Sequence, residues 1–76
     1  MKAAHKKTVR EAIELISKGR MMLEDLHNEL CEEWDEMSEK SQESEAGQEF
    51  ERFKDAVEEY KDNAERAEDG LQEFAS

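Results

Sequence analysis

The feature that most constrains the fold of this chain is a pair of long heptad patterns on either side of one short polar stretch. In both patterns apolar positions recur at alternating spacings of four and three residues. The first pattern comprises Val9, Ile13, Ile16, Arg20, Leu23, His27, Leu30, Trp34 and Met37. The second comprises Ala46, Phe50, Phe53, Val57, Tyr60, Ala64, Ala67, Leu71 and Phe74. This spacing is typical of helices that pack along a single stripe.

The stretch between the two patterns, MSEKSQESEAG from Met37 to Gly47, is the only run that breaks the helical periodicity. Ser44 followed by Glu45 can cap a helix that begins there. The run Thr8–Glu11 fits a capping box at the start of the first helix. We therefore predict one domain over 1–76, with a basic arm at 1–7, helices at about 8–37 and 45–74, and a turn at about 38–44.

A short connection between two long helices predicts that they fold back on each other. The expected fold class is all-α, an antiparallel helical hairpin of coiled-coil type. Its register places Trp34 near Phe50 and Leu23 near Tyr60. A chain of 76 residues with one seam is marginally stable alone, so pairing of two hairpins into a four-helix bundle is expected. The predicted packing and self-association seam is Ile13, Ile16, Arg20, Leu23, His27, Leu30, Trp34, Phe50, Phe53, Val57, Tyr60 and Leu71.

Arg20 is the one charged residue on either seam, and the register places it opposite Ala64. Its guanidinium could specify the register by pairing with an acid of another chain. Alternatively, its aliphatic stem packs on the seam while the charged head reaches water.

Charge is unevenly distributed over a chain whose net charge is −11. Residues 1–20 hold six basic and two acidic groups, net +4, which leaves −15 for residues 21–76. Phosphate and anionic lipid would repel the acidic part, so membrane binding is not expected, and direct nucleic-acid binding is not expected unless the short basic arm provides it alone. No apolar run approaches the roughly 20 residues that span a bilayer, and the basic start lacks the apolar segment of a signal peptide. With a single cysteine, the expected location is the cytoplasm.

Three weak metal patterns are present, and none leads us to predict a cofactor. His27 and Cys31 share a helix face, but a single His/Cys pair lacks the paired spacings of a zinc site. Glu24-x-x-His27 has a di-iron spacing, yet the second seam offers no inward glutamate. The acidic groups at 32–36 and 59–62 resemble the magnesium signature of all-α nucleotide pyrophosphatases, but the hairpin register separates them by roughly 15 Å. We predict no catalytic residue, no metal and no enzymatic activity.

The turn carries a resemblance to a known group. Trp34, Ser38-Glu39, Gln42, Ser44-Glu45 and Gly47 resemble the turn region of short acidic helical hairpin proteins of phages and mobile elements. Their pattern has proline where this chain has Ser38, and arginine where it has Ala46. The resemblance covers about half of the chain. It implies a small accessory protein of a phage or mobile element and carries over no functional residue.

Charge and helical pattern together favour a small acidic interaction protein that inhibits or modulates a nucleic-acid-binding protein. Rows of carboxylates on a rigid helix offer arginine-lined grooves an alternative to phosphate. The candidate acidic surface is Glu51, Asp55, Glu58, Glu59, Asp62, Glu65 and Asp69. The alternative hypothesis is an assembly or regulatory module that recruits a partner helix through its apolar seam.

Overall fold

The computed structural model describes residues 1–75 and contains three helices in that range. Helix α1 spans Ala3–Glu36, the single-turn helix α2 spans Glu39–Glu43, and helix α3 spans Glu45–Ala75. No strand occurs in residues 1–75. The predicted all-α class is confirmed.

Helices α1 and α3 run antiparallel along almost their full length. At the turn, the rings of Trp34 and Phe50 stack with centroids 6.3 Å apart. At the open end, Arg10 Nε donates a hydrogen bond to the carbonyl oxygen of Ala75 at 3.1 Å. The molecule is a rod of 57 × 15 × 14 Å. These contacts confirm the antiparallel pairing of two long helices.

The reversal is built from helix α2 and two capping serines, Ser38 at the start of α2 and Ser44 at the start of α3. Ser38 Oγ accepts a hydrogen bond from the amide of Ser41, and Ser44 Oγ accepts one from the amide of Gly47. The side-chain amide of Gln42 reaches back and donates to the carbonyl oxygen of Trp34 at 2.8 Å. The turn predicted at 38–44 is therefore an ordered helical segment, and Ser38 and Ser44 act as caps.

Helix α1 begins five residues before its predicted start. Thr8 does not cap the helix; its hydroxyl donates to the carbonyl oxygen of Ala4 at 3.1 Å, inside α1. Residues 3–7 are alanine, histidine and lysine, none of which stops a helix as glycine or proline does, so the helix extends through most of the predicted basic arm.

The core lies between α1 and α3, where Leu30 and Val57 are the buried hydrophobic side chains of the described residues. Every predicted seam position of α1 is buried or half-buried. In α3, one line of the predicted seam faces inward as expected: Phe50, Val57, Ala64 and Leu71. The other line faces solvent, with Phe53 51%, Tyr60 61% and Phe74 49% exposed.

The residues that follow the members of this exposed line by one position face inward instead. They are Lys54, Lys61, Glu68 and Ala75, and all four are half-buried. The seam of α3 is thus rotated by one residue, and Phe53 and Tyr60 do not pack inside the hairpin as predicted. The contact between α1 and α3 is a single narrow stripe, and Lys54 and Glu68 interact there with residues of α1. The ammonium of Lys54 lies 5.9 Å from the ring centroid of Trp34, and Glu68 accepts a hydrogen bond from Arg20.

Candidate interaction surfaces

Arg20 is held by two carboxylates of its own chain. Its Nε lies 2.6 Å from Glu68 Oε1 across the seam, and its NH1 lies 2.7 Å from Glu24 Oε1 one helical turn away. The hydrogen bond with Glu68 raises the pKa of the guanidinium, against the opposing effect of burial. Its ion-pair partner across the hairpin is therefore Glu68, one turn beyond the predicted Ala64. This pairing links α1 to α3 across the seam.

Six of the seven predicted acidic residues form one continuous row on α3, here called the acidic ribbon. Its members alternate at spacings of four and three residues: Glu51, Asp55, Glu58, Asp62, Glu65 and Asp69. Residues so spaced are neighbours on a helix surface. All six are exposed except Asp62, which is half-buried. Glu59 is also exposed but lies beside the row.

The acidic ribbon approaches the charge spacing of a nucleic-acid strand. At 1.5 Å per residue, its six carboxylates extend over about 27 Å. A single strand of B-DNA carries about eight phosphates over that length. The arrangement is thus a straight row of negative charge somewhat less dense than a DNA strand.

Three members of the ribbon have cationic or titratable neighbours in the same chain. Lys54 Nζ lies 3.2 Å from Asp55 Oδ1, and Lys61 Nζ lies 3.4 Å from Asp62 Oδ1. The hydrogen bond with Asp55 raises the pKa of Lys54. Glu58 Oε2 lies 3.6 Å from His27 Nε2. The three carboxylates are about half exposed, and ion pairs open to solvent are weak, so these carboxylates can exchange partners.

His27 and Cys31 lie together without forming a metal site. The sulfur of Cys31 is 3.6 Å from His27 Nε2, a distance suited to a weak hydrogen bond. Glu24, the acid of the di-iron spacing, is engaged by Arg20 instead. Within residues 1–75, no group of three or more His, Cys, Asp and Glu side chains is placed to hold a metal ion.

A second surface is apolar and partly exposed. On α1 it forms a row of uncharged residues adjacent to the seam: Ala12, Leu15, Gly19, Met22 and Leu26. On α3 it contains the line that the seam leaves outside: Phe53, Tyr60, Ala67 and Phe74. Leu15 is 70% exposed and Met22 is 71% exposed. These nine residues are called the apolar face below. The spacing of three and four residues from Ala12 to Leu26 is a second heptad pattern, which indicates this row beside the seam.

Contacts across the seam show that the α1 part and the α3 part of the apolar face lie on the same side of the hairpin. Glu24 and Glu68 meet at Arg20, and His27 lies 3.6 Å from Glu58 across the seam. These residues mark the polar side, where the acidic ribbon also begins. Ala12, Gly19 and Leu26 lie at the other edge of the α1 seam, and the Tyr60 line lies at the other edge of the α3 seam. The apolar face and the acidic ribbon therefore lie on opposite sides of α3.

Comparisons with protein-family models, with curated proteins and with solved structures gave no match to this chain. Across residues 1–75, none of the helices combines the length and the apolar character needed to cross a membrane. The two surfaces described above are therefore the basis for assigning a function.

Proposed function

We propose that this chain is a small acidic interaction protein without enzymatic activity, which inhibits or modulates a nucleic-acid-binding protein by occupying its basic surface. The observation that carries the proposal is the acidic ribbon, a straight row of six carboxylates on a rigid helix. Arginine binds carboxylate and phosphate with the same planar fork, so a groove that binds a phosphate backbone can also bind such a row. The resemblance of the turn to phage hairpin proteins supports a phage or mobile-element origin.

The competing explanation for the ribbon is that it only keeps the helices dissolved. Position distinguishes the two explanations, because a solubilising charge acts wherever it stands on the surface. A triple variant of the ribbon, Glu51→Gln, Glu65→Gln and Asp69→Asn, removes three exposed charges. The matched control, Glu29→Gln, Glu32→Gln and Glu36→Gln, removes three exposed charges from α1.

The experiment is capture of proteins from a cell lysate on the immobilised wild type and on each triple variant, with elution by a salt series and by duplex DNA. We expect nucleic-acid-binding proteins that elute at moderate salt, are released by DNA, and are lost with the ribbon variant but kept with the control. Capture that survives 1 M salt, that brings down no nucleic-acid-binding protein, or that falls equally with both variants contradicts the proposal.

We further propose that the working form is a pair of hairpins, a four-helix bundle. The support is the shortage of buried core, since only Leu30 and Val57 among the described residues are buried hydrophobic side chains. A mass of 8.9 kDa in sedimentation at high concentration would exclude the pair.

The alternative function is an assembly or regulatory module that recruits a partner helix. It is favoured by the apolar face, on which Tyr60 is 61% exposed. Under this alternative, an amphipathic helix of another protein covers the apolar face. Captured partners would then resist salt and would be lost on substitution of Tyr60 rather than of the acidic ribbon.

A further inference from the structure

We propose that the apolar face is the contact surface between two copies of this chain, and that the hairpins pair with their turns at opposite ends. The inference rests on the pairing proposed above and assigns it a surface, a symmetry and a direction. Three observations carry it: the excess of exposed area, the glycine at the centre of the face, and the polarity of charge along the rod.

The exposed area is larger than a monomer of this mass presents. The accessible surface is 5941 Å², whereas the usual relation between area and mass gives about 4,800 Å² for 8.9 kDa. The excess is about 1,100 Å² for each chain. A stable protein–protein interface of standard size removes about 800 Å² from each partner. A second copy seated on the apolar face is therefore of the right size to remove the excess.

Gly19 lies at a position of the single hairpin where a side chain would fit. A Cβ built at this position meets no atom within 4 Å, so the packing of α1 against α3 does not require a glycine there. Glycine in the interior of a helix is destabilising relative to alanine. Gly19 lies at the middle of the row from Ala12 to Leu26, where it would allow the backbone of another helix to approach closely.

Charge along the rod favours the pairing of opposite ends. The open end, residues 1–20 and 65–76, has seven basic and six acidic groups, net +1. The turn end, residues 21–64, has 16 acidic and four basic groups, net −12. Parallel hairpins would bring two strongly acidic ends together. Opposed hairpins place each acidic end beside the open end of the other copy, where repulsion is lowest.

A two-fold axis across the rod satisfies these conditions. It passes near Gly19 and Ala67, two small residues of the face that lie at about the same level of the hairpin. Each helix then meets its own copy, as an isologous contact requires. Tyr60 lies opposite Phe74 of the second copy, and Leu26 lies opposite Ala12 of the second copy. Because the acidic ribbon is on the other side of α3, both ribbons remain exposed in the pair.

The first test compares Tyr60→Glu with the matched control Met21→Glu, which places the same charge on an exposed apolar position of the polar side. Mass is measured by sedimentation equilibrium and helicity by circular dichroism. We expect a wild-type mass of twice 8.9 kDa, a dimer dissociation constant raised at least about a hundredfold by Tyr60→Glu, and no change with Met21→Glu. Gly19→Ala should also weaken the pair, by about tenfold, while each helix stays folded.

The outcomes separate this inference from the proposed function. A wild type of 8.9 kDa at high concentration overturns the pairing itself. A dimer that survives Tyr60→Glu overturns the assigned surface and leaves the pairing standing. Neither result bears on capture by the acidic ribbon, which is scored with charge variants that leave the apolar face intact.

The direction of pairing has its own test, in a Cys31→Ser background that leaves no other thiol. The variant Gly19→Cys should form a disulfide with its own copy on mild oxidation, because both positions lie near the axis. Turns at the same end would place Gly19 beside Ala67 of the second copy instead. A mixture of the single variants Gly19→Cys and Ala67→Cys that cross-links mainly to each other overturns the opposed arrangement.

Discussion

Trp34 of α1 stacks on Phe50 of α3, with ring centroids 6.3 Å apart and planes inclined by 8°. The same tryptophan accepts a hydrogen bond from Gln42 at its backbone carbonyl and lies under the ammonium of Lys54. One residue thus joins α1 to the turn and to α3, which makes this contact the anchor of the reversal.

Phe50→Ala should lower the free energy of unfolding by about 2 to 4 kcal/mol, because it removes the stacked ring and leaves Trp34 without its partner. Trp34 is the single tryptophan, so its fluorescence, with circular dichroism, reports the transition in denaturant. The matched control is Phe74→Ala, on the apolar face. Its effect should fade on dilution as paired hairpins separate, whereas that of Phe50→Ala should persist at every concentration. Equal behaviour of the two variants would contradict the assignment of Phe50 to the hairpin core.

Gly47→Ala should destabilise the turn by about 1 to 3 kcal/mol, because a Cβ at this buried position would collide with the backbone carbonyl groups of Ser41 and Gln42. Gly70→Ala is the comparison on the same helix. A Cβ at Gly70 meets nothing within 4 Å, so this change should stabilise the dilute chain by about 0.5 to 1 kcal/mol. Thermal melts at low concentration should move in opposite directions for the two variants, and parallel shifts would refute the close approach at Gly47.

Ser44→Ala should cost about 1 kcal/mol, since it removes the side-chain acceptor that satisfies the amide of Gly47 at the start of α3. Ser41→Ala serves as the control, because Ser41 contributes its backbone carbonyl to the turn and keeps it after the substitution. Chemical denaturation of both variants checks the expectation. A cost for Ser41→Ala equal to that for Ser44→Ala would argue against the cap.

Arg20 and Glu68 should show a coupling in a double-mutant cycle that weakens as salt is raised. Arg20→Ala leaves Glu68 half-buried without its partner, and Glu68→Ala leaves Arg20 with Glu24 alone. The double variant should therefore be destabilised by less than the sum of the two single variants. Lys54 and the exposed Asp55, which are adjacent on α3, form the reference pair, with an expected coupling of at most about 0.5 kcal/mol. Additive effects of Arg20→Ala and Glu68→Ala would show that the register does not depend on this pair.

The antiparallel fold and the seam of α1 could be predicted from sequence because an uninterrupted heptad pattern allows few alternatives. The contact of Trp34 with Phe50 followed from the position of the turn. The seam of α3 could not be predicted in full. Apolar pattern alone ranks Phe53 and Tyr60 above Lys54 and Lys61, yet a lysine stem can cover a ring while its ammonium binds a neighbouring carboxylate.

The candidate surfaces were predictable to different degrees. Position in sequence was enough to identify the acidic ribbon, because spacings of three and four residues determine one face of a helix. The apolar face depended on which of two adjacent α3 lines turns inward, and that choice is made by contacts between helices, such as Arg20 with Glu68. Helical periodicity by itself does not contain this information.

The elongation of the rod has a hydrodynamic consequence. Its radius of gyration is 17.1 Å, whereas a compact chain of 76 residues has about 11 Å. A value of 17.1 Å is that of a compact chain of roughly 220 residues, so one hairpin has the radius of gyration of a compact protein about three times its mass. Two rods packed side by side become thicker with little gain in length, so pairing doubles the mass while moving the shape toward a sphere. The elution position of this protein in gel filtration will therefore change less on pairing than its mass does.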